Sequence, residues 1–211
     1  MNLLFTRVEL DLVKSLTRCV RILEFSQLSA GWWPAVRRPR GIAQQLTRLQ
    51  SQGLLETFCI NAHPLLSVDR PLYAWQPGID EPDFDTISDA ARERWSRPAV
   101  PTMACVAKPL AANLFGSGGY GLPPQEHRDH DLRLAAVYLH YRQKHARLAK
   151  MWIGEHALPK AGYRVKDPDA FLIDKAGQKL RVVESAGRYS AQAVESFHEH
   201  CVENCLSYEL W

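Results

Sequence analysis

Two acidic residues near the C-terminus have the spacing of a divalent-cation site. Asp169 comes directly before one apolar run, residues 170–173, and Glu184 ends a second one, residues 180–184. Short apolar runs bounded by turn residues are typical of strands. A symmetric turn between the two strands places Asp169 directly opposite Glu184, with both side chains on one face of the sheet. Two carboxylates so placed persist if a cation bridges them, if one is protonated, or if water separates them.

Metal binding is the chemistry that this pair suggests. Mg²⁺ (or Mn²⁺) prefers oxygen ligands and is commonly held by one or two carboxylates together with several waters. The expectation depends on strand register, because a three-residue loop in place of the symmetric turn shifts the pairing by one residue. Two histidines, His127 and His130, lie one helical turn apart before the strands. They are expected either to face the carboxylates or to cap a helix at the surface.

The last third of the chain predicts the elements that hold these acids. Apolar periodicity and turn residues predict a helix, three strands, a second helix and a fourth strand. Ser190 is placed to cap the second helix. The expected bounds are helix 126–149, strands 150–154, 170–173 and 180–184, helix 190–204 and strand 207–211.

The first third predicts three helices followed by two strands. Thr6 and Glu9 have the three-residue spacing of a capping box, and Gly53 follows the third helix where a glycine commonly ends it. The two strands alternate and are separated by a turn, so they are expected to pair as a hairpin. Three helices and a hairpin are the order of a winged helix-turn-helix. The expected elements are a helix from Thr6 to about Cys19, helices 26–32 and 39–52, and strands 54–60 and 71–75.

The third helix carries basic and amide side chains and no acid. In a winged helix-turn-helix this helix enters the major groove, where arginines contact phosphates and amide or hydroxyl side chains reach base edges. Residues 1–78 hold nine Lys and Arg against five Asp and Glu, so positive charge is concentrated here. The alternative is a winged helix used for protein contact or dimerisation, with the arginines as a solvated face. The expected phosphate contacts are Arg37, Arg38, Arg40 and Arg48, and the expected base contacts are Gln44, Gln45 and Thr47.

Composition excludes several other classes of protein. With 46% hydrophobic and 23% charged residues, the 211-residue chain is typical of a globular protein and not of a disordered one. The formal net charge is only +3, so a nucleic-acid surface has to be a local patch. No apolar run is long enough to span a membrane, and the first residues lack the apolar core of a signal peptide. Five scattered cysteines without a C-x-x-C motif favour a reducing cytoplasm.

Two stretches rich in Pro and Gly, residues 76–83 and 115–124, divide the chain. We therefore expect a winged helix-turn-helix at 1–78, a connecting segment at 79–124 and an α/β domain at 125–211. The fold class expected for the whole chain is α+β.

Short motifs in the second domain resemble those of a nuclease family. Pro168-Asp169, a hairpin and then Glu184-Ser185-Ala186 resemble the PD-(D/E)xK signature, and the predicted αβββαβ order resembles the restriction-endonuclease-like core. The whole arrangement is similar to the replication-relaxation family, in which a winged helix precedes a nuclease-like domain. Residues 127–134, 168–170 and 182–184 carry that second resemblance. It implies binding to double-stranded DNA in the replication and maintenance of a plasmid or mobile element.

One departure from the nuclease pattern bears on catalysis. PD-(D/E)xK enzymes carry a lysine two residues after the second acid, which orients the attacking water and offsets charge at the phosphate. This chain has Ala186 at that position. Arg188 lies on the same strand face, but a guanidinium stays protonated and is a poor general base. The resemblance also implies that Glu126, at the start of the long helix, is an additional acidic residue of the catalytic site.

The sequence therefore favours a DNA-binding protein of replication-relaxation type whose nuclease-like domain lacks the usual lysine. The first alternative is an active Mg²⁺-dependent endonuclease of a mobile element or defence system, with Asp169, Glu184 and Glu126 as catalytic residues and the first two as metal ligands. The second alternative is a protein-interaction subunit of a replication, transposition or defence complex. No membrane partner is expected.

A zinc site is the remaining interpretation considered for the last predicted helix. His198, Cys201 and Cys205 share one face of that helix. Structural zinc usually takes ligands from separated segments, so core packing of these side chains is favoured over metal binding.

Overall fold

A computed structural model describes residues 5–65, 68–93, 97–116, 119–158 and 168–211. The described residues combine α-helices with two β-sheets, so the expected α+β class is confirmed. In chain order the elements are α1 (Arg7–Arg18), β1 (Ile22–Glu24), α2 (Phe25–Trp32), α3 (Pro39–Ser51), β2 (Leu55–Ala62), β3 (Tyr73–Trp75), α4 (Phe84–Glu93), β4 (Val100–Ala107), α5 (Pro109–Phe115), α6 (Gln125–Lys144), α7 (Ala146–Ala149), β5 (Trp152–Gly154), a 3₁₀ helix (Glu155–Ala157), β6 (Ala170–Ile173), β7 (Lys179–Glu184), α8 (Ala191–Glu203) and β8 (Tyr208–Leu210).

Local sequence explains the ends of the N-terminal helices. The Thr6 hydroxyl accepts a hydrogen bond from the Glu9 backbone, and the Glu9 carboxylate accepts one from the Thr6 backbone. The predicted capping box is therefore confirmed. Pro39 takes the first position of α3, where its missing N–H is not needed. Gly53 follows α3 with a φ of +70°, the left-handed conformation that glycine adopts without strain.

The N-terminal sheet has three antiparallel strands in the order β1-β4-β2. The hairpin predicted between strands 54–60 and 71–75 is wrong, because β2 pairs along its whole length with β4. Residues 63–99 are inserted between these two partners and contain β3 and α4. Residues 79–124, which were expected to be only a connecting segment, contain α4, β4 and α5.

The second sheet has five strands in the order β3-β8-β7-β6-β5. β5, β6 and β7 are antiparallel neighbours, whereas β7 and β8 run parallel and are connected through α8. A parallel pair requires such a crossover. The predicted strand at 71–75 exists as β3, but its partner is β8 at the sheet edge. The insertion between β2 and β4 therefore extends the second sheet.

Helix α6 packs against both sheets. Leu132 joins a buried cluster with Ile22 of β1 and Ala104 of β4, whereas the Tyr138 ring lies 5.4 Å from the ring of Trp152 on β5. Apolar side chains are thus buried on more than one face of this helix. The predicted helix 126–149 is present but interrupted at His145, beyond which α7 forms the last turn.

Within the residues that the structure describes, no helix is both long enough and apolar enough to cross a membrane.

Candidate functional site

The register of β6 and β7 brings the two sequence-predicted acids together. Ala170 lies opposite Val183, and Phe171 opposite Val182, so Asp169 and Glu184 follow as the next pair. The predicted register is therefore confirmed in this part of the hairpin. The turn itself is not symmetric, because Asp174 donates its N–H to the Gln178 carbonyl across a three-residue loop. A bulge between the loop and Leu172 restores the register that such a loop would otherwise shift.

Backbone groups bind both carboxylates of this pair. The Asp169 N–H donates to Glu184 Oε2 at 3.1 Å, and the Ser185 N–H donates to Asp169 Oδ2 at 2.7 Å. Asp169 is 4% exposed and Glu184 is 1% exposed. Buried carboxylates require such partners, because an unpaired charge away from water is very costly.

His130 supplies a positive charge to the pair. Its Nε2 lies 2.9 Å from Asp169 Oδ2, and its Nδ1 lies 3.3 Å from Asp131 Oδ1. Burial alone lowers the pKa of His130, but the charges and hydrogen bonds of Asp169 and Asp131 outweigh it and raise the pKa to about 10. At neutral pH the ring is an imidazolium that donates from both nitrogens. The repulsion expected between two opposed acids is thus relieved by a cation from the protein itself.

Tyr189 is a further hydrogen-bond partner of Glu184. Its hydroxyl donates to Glu184 Oε1, and its backbone carbonyl accepts a 2.8 Å hydrogen bond from Ser88 of α4. The inserted segment between β2 and β4 therefore helps to hold the loop after β7. We call Asp169, Glu184, His130 and Tyr189 the carboxylate cluster.

The donor set of the carboxylate cluster does not fit a divalent metal. Asp169 Oδ2 and both oxygens of Glu184 already accept hydrogen bonds, and a metal would have to displace the adjacent imidazolium. Ala186, at the position of the nuclease lysine, is fully buried. No group of three or more His, Cys, Asp or Glu side chains in the described ranges is arranged to hold a metal ion. We therefore derive no catalytic step through a metal.

Other residues proposed for this site lie apart from it. Glu126 is exposed in the first turn of α6 and takes part in none of the hydrogen bonds of the carboxylate cluster. His127 is likewise exposed. His198 is bonded to the Tyr208 hydroxyl at 2.9 Å, and Cys201 is fully buried, so these two side chains belong to the core.

Sequence reasoning missed two hydrogen-bond partners of Asp169 and Glu184. Ser185 acts through its backbone N–H, which any residue would provide, so no side-chain signal marks it. Tyr189 contacts Glu184 because the chain turns after β7, and its spacing matches no motif. His130 was detectable, because it is one turn from His127 at the start of a predicted helix, but the sequence alone could not decide which histidine faces inward.

A second partly buried histidine, His156, lies near the carboxylate cluster, and its pKa is shifted in the opposite direction. Arg21 Nη1 lies 3.7 Å from Asp131 Oδ2, which ties Asp131 to β1 as well as to His130. Burial, with the charge of Arg21, lowers the pKa of His156 to about 4. Its Nε2 is buried with no hydrogen-bond partner among the described residues. His156 is thus neutral in the folded protein, whereas His130 is charged.

The outer face of α3 is the other candidate site. Ile42, Leu46 and Leu49 are buried and fix this helix against the domain. Six of the seven residues proposed to contact DNA are exposed and have no ion pair within the described ranges. The seventh, Arg48, is bonded to the carboxylate of Glu9, with its Nε 2.9 Å from Oε1. The six are Arg37, Arg38, Arg40, Gln44, Gln45 and Thr47.

Comparisons of this chain with models of protein families, with curated proteins and with solved structures find no match.

Proposed function

We propose that this protein binds double-stranded DNA through α3, acting as the reading helix of a winged helix-turn-helix. The observation that carries the proposal is the exposed, acid-free surface formed by α3 and the two residues directly before it. On this surface Arg37, Arg38 and Arg40 have no carboxylate partner within the described residues. The order α1-β1-α2-α3-β2-β4, with a sheet of order β1-β4-β2, supports the assignment. The wing of such a domain corresponds to the turn between β2 and β4, which in this chain is the long insertion 63–99.

We further propose that the second sheet and its helices are a nuclease-like module that does not cleave DNA. The order α6-β5-β6-β7-α8-β8 corresponds to the αβββαβ order of the restriction-endonuclease-like core. The internal hydrogen bonds of the carboxylate cluster and the buried Ala186 support an inactive site. A role of replication-relaxation type, in plasmid or mobile-element maintenance in the cytoplasm, is the setting that agrees best with both modules.

Salt dependence of DNA binding is the first test of this function. Fluorescence anisotropy with a labelled duplex measures affinity over a series of salt concentrations. If the three unpaired arginines each neutralise one phosphate, the log–log slope is roughly −3, since each contact contributes about −0.9. A triple variant is expected to lose most of this salt dependence. It combines Arg37→Ala, Arg38→Ala and Arg40→Ala. Arg92→Ala, which changes an exposed arginine of α4, is the matched control.

The same preparation separates the alternatives. A flat salt response contradicts DNA binding and favours a protein-interaction subunit. Incubation with supercoiled plasmid and Mn²⁺, alongside Glu184→Gln, tests the nuclease alternative. Metal-dependent nicking that the variant lacks would contradict an inactive module.

A further inference from the structure

A concave region lies between α1, the junction of α6 with α7, and β5. It is a cleft of about 400 Å³, which we call the basic cleft and define by Lys14, Arg18, Tyr138, Arg142, Lys150 and Met151 among its lining residues. None of the four residues of the carboxylate cluster lines it. Its volume is within the range of about 300–1,000 Å³ that small-molecule sites occupy.

The lining of the basic cleft has an excess of positive charge. Four cationic side chains line it, against the single carboxylate of Asp11. Asp11 is already engaged, because Arg142 Nη2 lies 2.8 Å from it and Trp32 donates its indole N–H to it at 2.8 Å. Lys14, Arg18 and Lys150 have no ion pair among the described residues. Three cations without a counter-ion around one concavity favour an anionic ligand.

The interior of the basic cleft offers hydroxyl groups and an apolar wall. Ser15 Oγ and Tyr138 OH lie 3.1 Å apart, and Tyr138 OH also accepts a 3.5 Å hydrogen bond from Arg142 Nη1. One of the two hydroxyl hydrogens is used by neither contact and remains available to a ligand. Met151, Ile153 and Ile173 are only partly buried, so part of their apolar surface remains available along the cleft. A bare inorganic anion would use the cations and leave this wall and the hydroxyl groups unused.

We propose that the basic cleft binds a nucleotide. The phosphate lies between Lys14, Arg18 and Lys150, which donate charge-assisted hydrogen bonds to it. Such bonds are stronger than hydrogen bonds between neutral groups. The sugar and base lie against Met151 and the isoleucines, with the hydroxyls of Ser15 and Tyr138 as polar partners. The same chemistry is offered by a free nucleotide and by the terminal nucleotide of a DNA strand with a 5′ phosphate. This inference does not depend on DNA binding by α3.

Calorimetric titration of the full chain with AMP, with a 5′-phosphorylated trinucleotide and with inorganic phosphate tests the proposal. AMP or the trinucleotide is expected to saturate a single site, and inorganic phosphate to bind more weakly because it cannot use the apolar wall. Lys14→Gln with Arg18→Gln is expected to weaken that binding roughly tenfold or more, since two charged hydrogen bonds are lost. Ala146→Trp, at an exposed lining position, is expected to block the site without changing its charge.

Arg147→Gln is the matched control, because Arg147 is exposed on α7 and does not line the basic cleft. It is expected to leave affinity within about twofold, because an exposed charge that makes no contact with the nucleotide is weakened by water and salt. Preference for AMP identifies a free nucleotide, and preference for the trinucleotide identifies a strand end. No saturable binding of either probe overturns the proposal, as does an equal loss in Arg147→Gln. Phosphate binding as tight as that of AMP overturns the role of the apolar wall.

Discussion

The α3 face and the carboxylate cluster are both rich in charge, but they satisfy it in opposite ways. Arg37, Arg38 and Arg40 are exposed, and none has a carboxylate partner in the part of the chain that the structure describes. Asp169 and Glu184 are buried and accept hydrogen bonds from His130, Tyr189 and two backbone N–H groups. Charges in water cost little and remain available to a partner, whereas buried charges have to be satisfied by the fold.

This difference separates surface charge that remains available to a partner from charged residues that serve stability. The carboxylate cluster joins α6 to β6 and β7, and through Tyr189 it also reaches α4. Removing His130 therefore leaves buried carboxylates without their cation. Removing an arginine from the α3 face leaves no unsatisfied charge, because water takes the place of the side chain.

His130→Ala is expected to have the largest effect. It removes the cation between Asp169 and Asp131. Breaking a fully buried ion pair in this way typically costs about 3–5 kcal/mol, and the cost here is expected at or below the lower end of that range, because the His130 side chain is 23% exposed. Urea denaturation at pH 7 measures the change. His127→Ala, one turn earlier on α6 and exposed, is the control and is expected to stay within about 0.5 kcal/mol. Equal effects of the two variants would show that the cluster does not hold the fold together.

Ala186→Lys tests whether the cluster is a nuclease site that only lacks its lysine. Ala186 is fully buried in a cluster with Val182 and Val194, so the longer side chain is expected to overpack the core and destabilise the protein by about 1–3 kcal/mol. Denaturation and plasmid nicking with Mn²⁺ are measured together. Arg188→Lys, two residues on and exposed, is the control. A stable Ala186→Lys variant that nicks DNA would contradict the inactive module.

Local spacing predicted the centre of the site but not its surroundings. The register that places Asp169 opposite Glu184 was predicted from the length of the turn within one hairpin. The predicted turn is wrong, but a bulge beside the loop compensates for the difference, so the two acids still lie opposite each other. The donors from His130 and Tyr189 depend on how α6 and the loop after β7 pack, and tertiary packing is not encoded in residue spacing.

The fold shows the same limit of local reasoning. The helices α1, α3 and α8 were predicted almost to the residue, because caps and apolar stripes are local signals. The strand Tyr73–Trp75 was recognised by its alternation, but alternation does not specify a partner, and that partner is β8 near the other end of the chain. The proline-rich stretch after β3 was interpreted as a domain boundary. In the structure it belongs to the insertion 63–99, which lies between the paired strands β2 and β4.

The pH dependence of stability is expected to reveal the charge on His130. Its folded pKa of about 10 exceeds the usual value of about 6.5, so the stabilisation is present in full below pH 6.5 and is lost as pH rises towards 10. The loss is at most about 1.4 kcal/mol for each pH unit. Urea denaturation at pH 7, 8 and 9 measures it. His130→Gln, which cannot carry the charge, is expected to have a much flatter profile, and matching profiles would contradict a charged His130.

Arg40→Ala is expected to have the smallest effect on stability and a clear effect on DNA binding. An exposed arginine without an ion pair typically contributes no more than about 0.5 kcal/mol to folding. Removing one phosphate contact is expected to reduce the log–log salt slope by about 1. Arg48→Gln on the same helix provides the contrast, because Arg48 is bonded to the buried Glu9 and its loss is expected to lower stability. Anisotropy and denaturation on both variants therefore separate the two roles of arginine within α3. If Arg40→Ala leaves the salt slope unchanged, the unpaired charge of this face does not serve DNA, and the contrast with the carboxylate cluster loses its functional meaning.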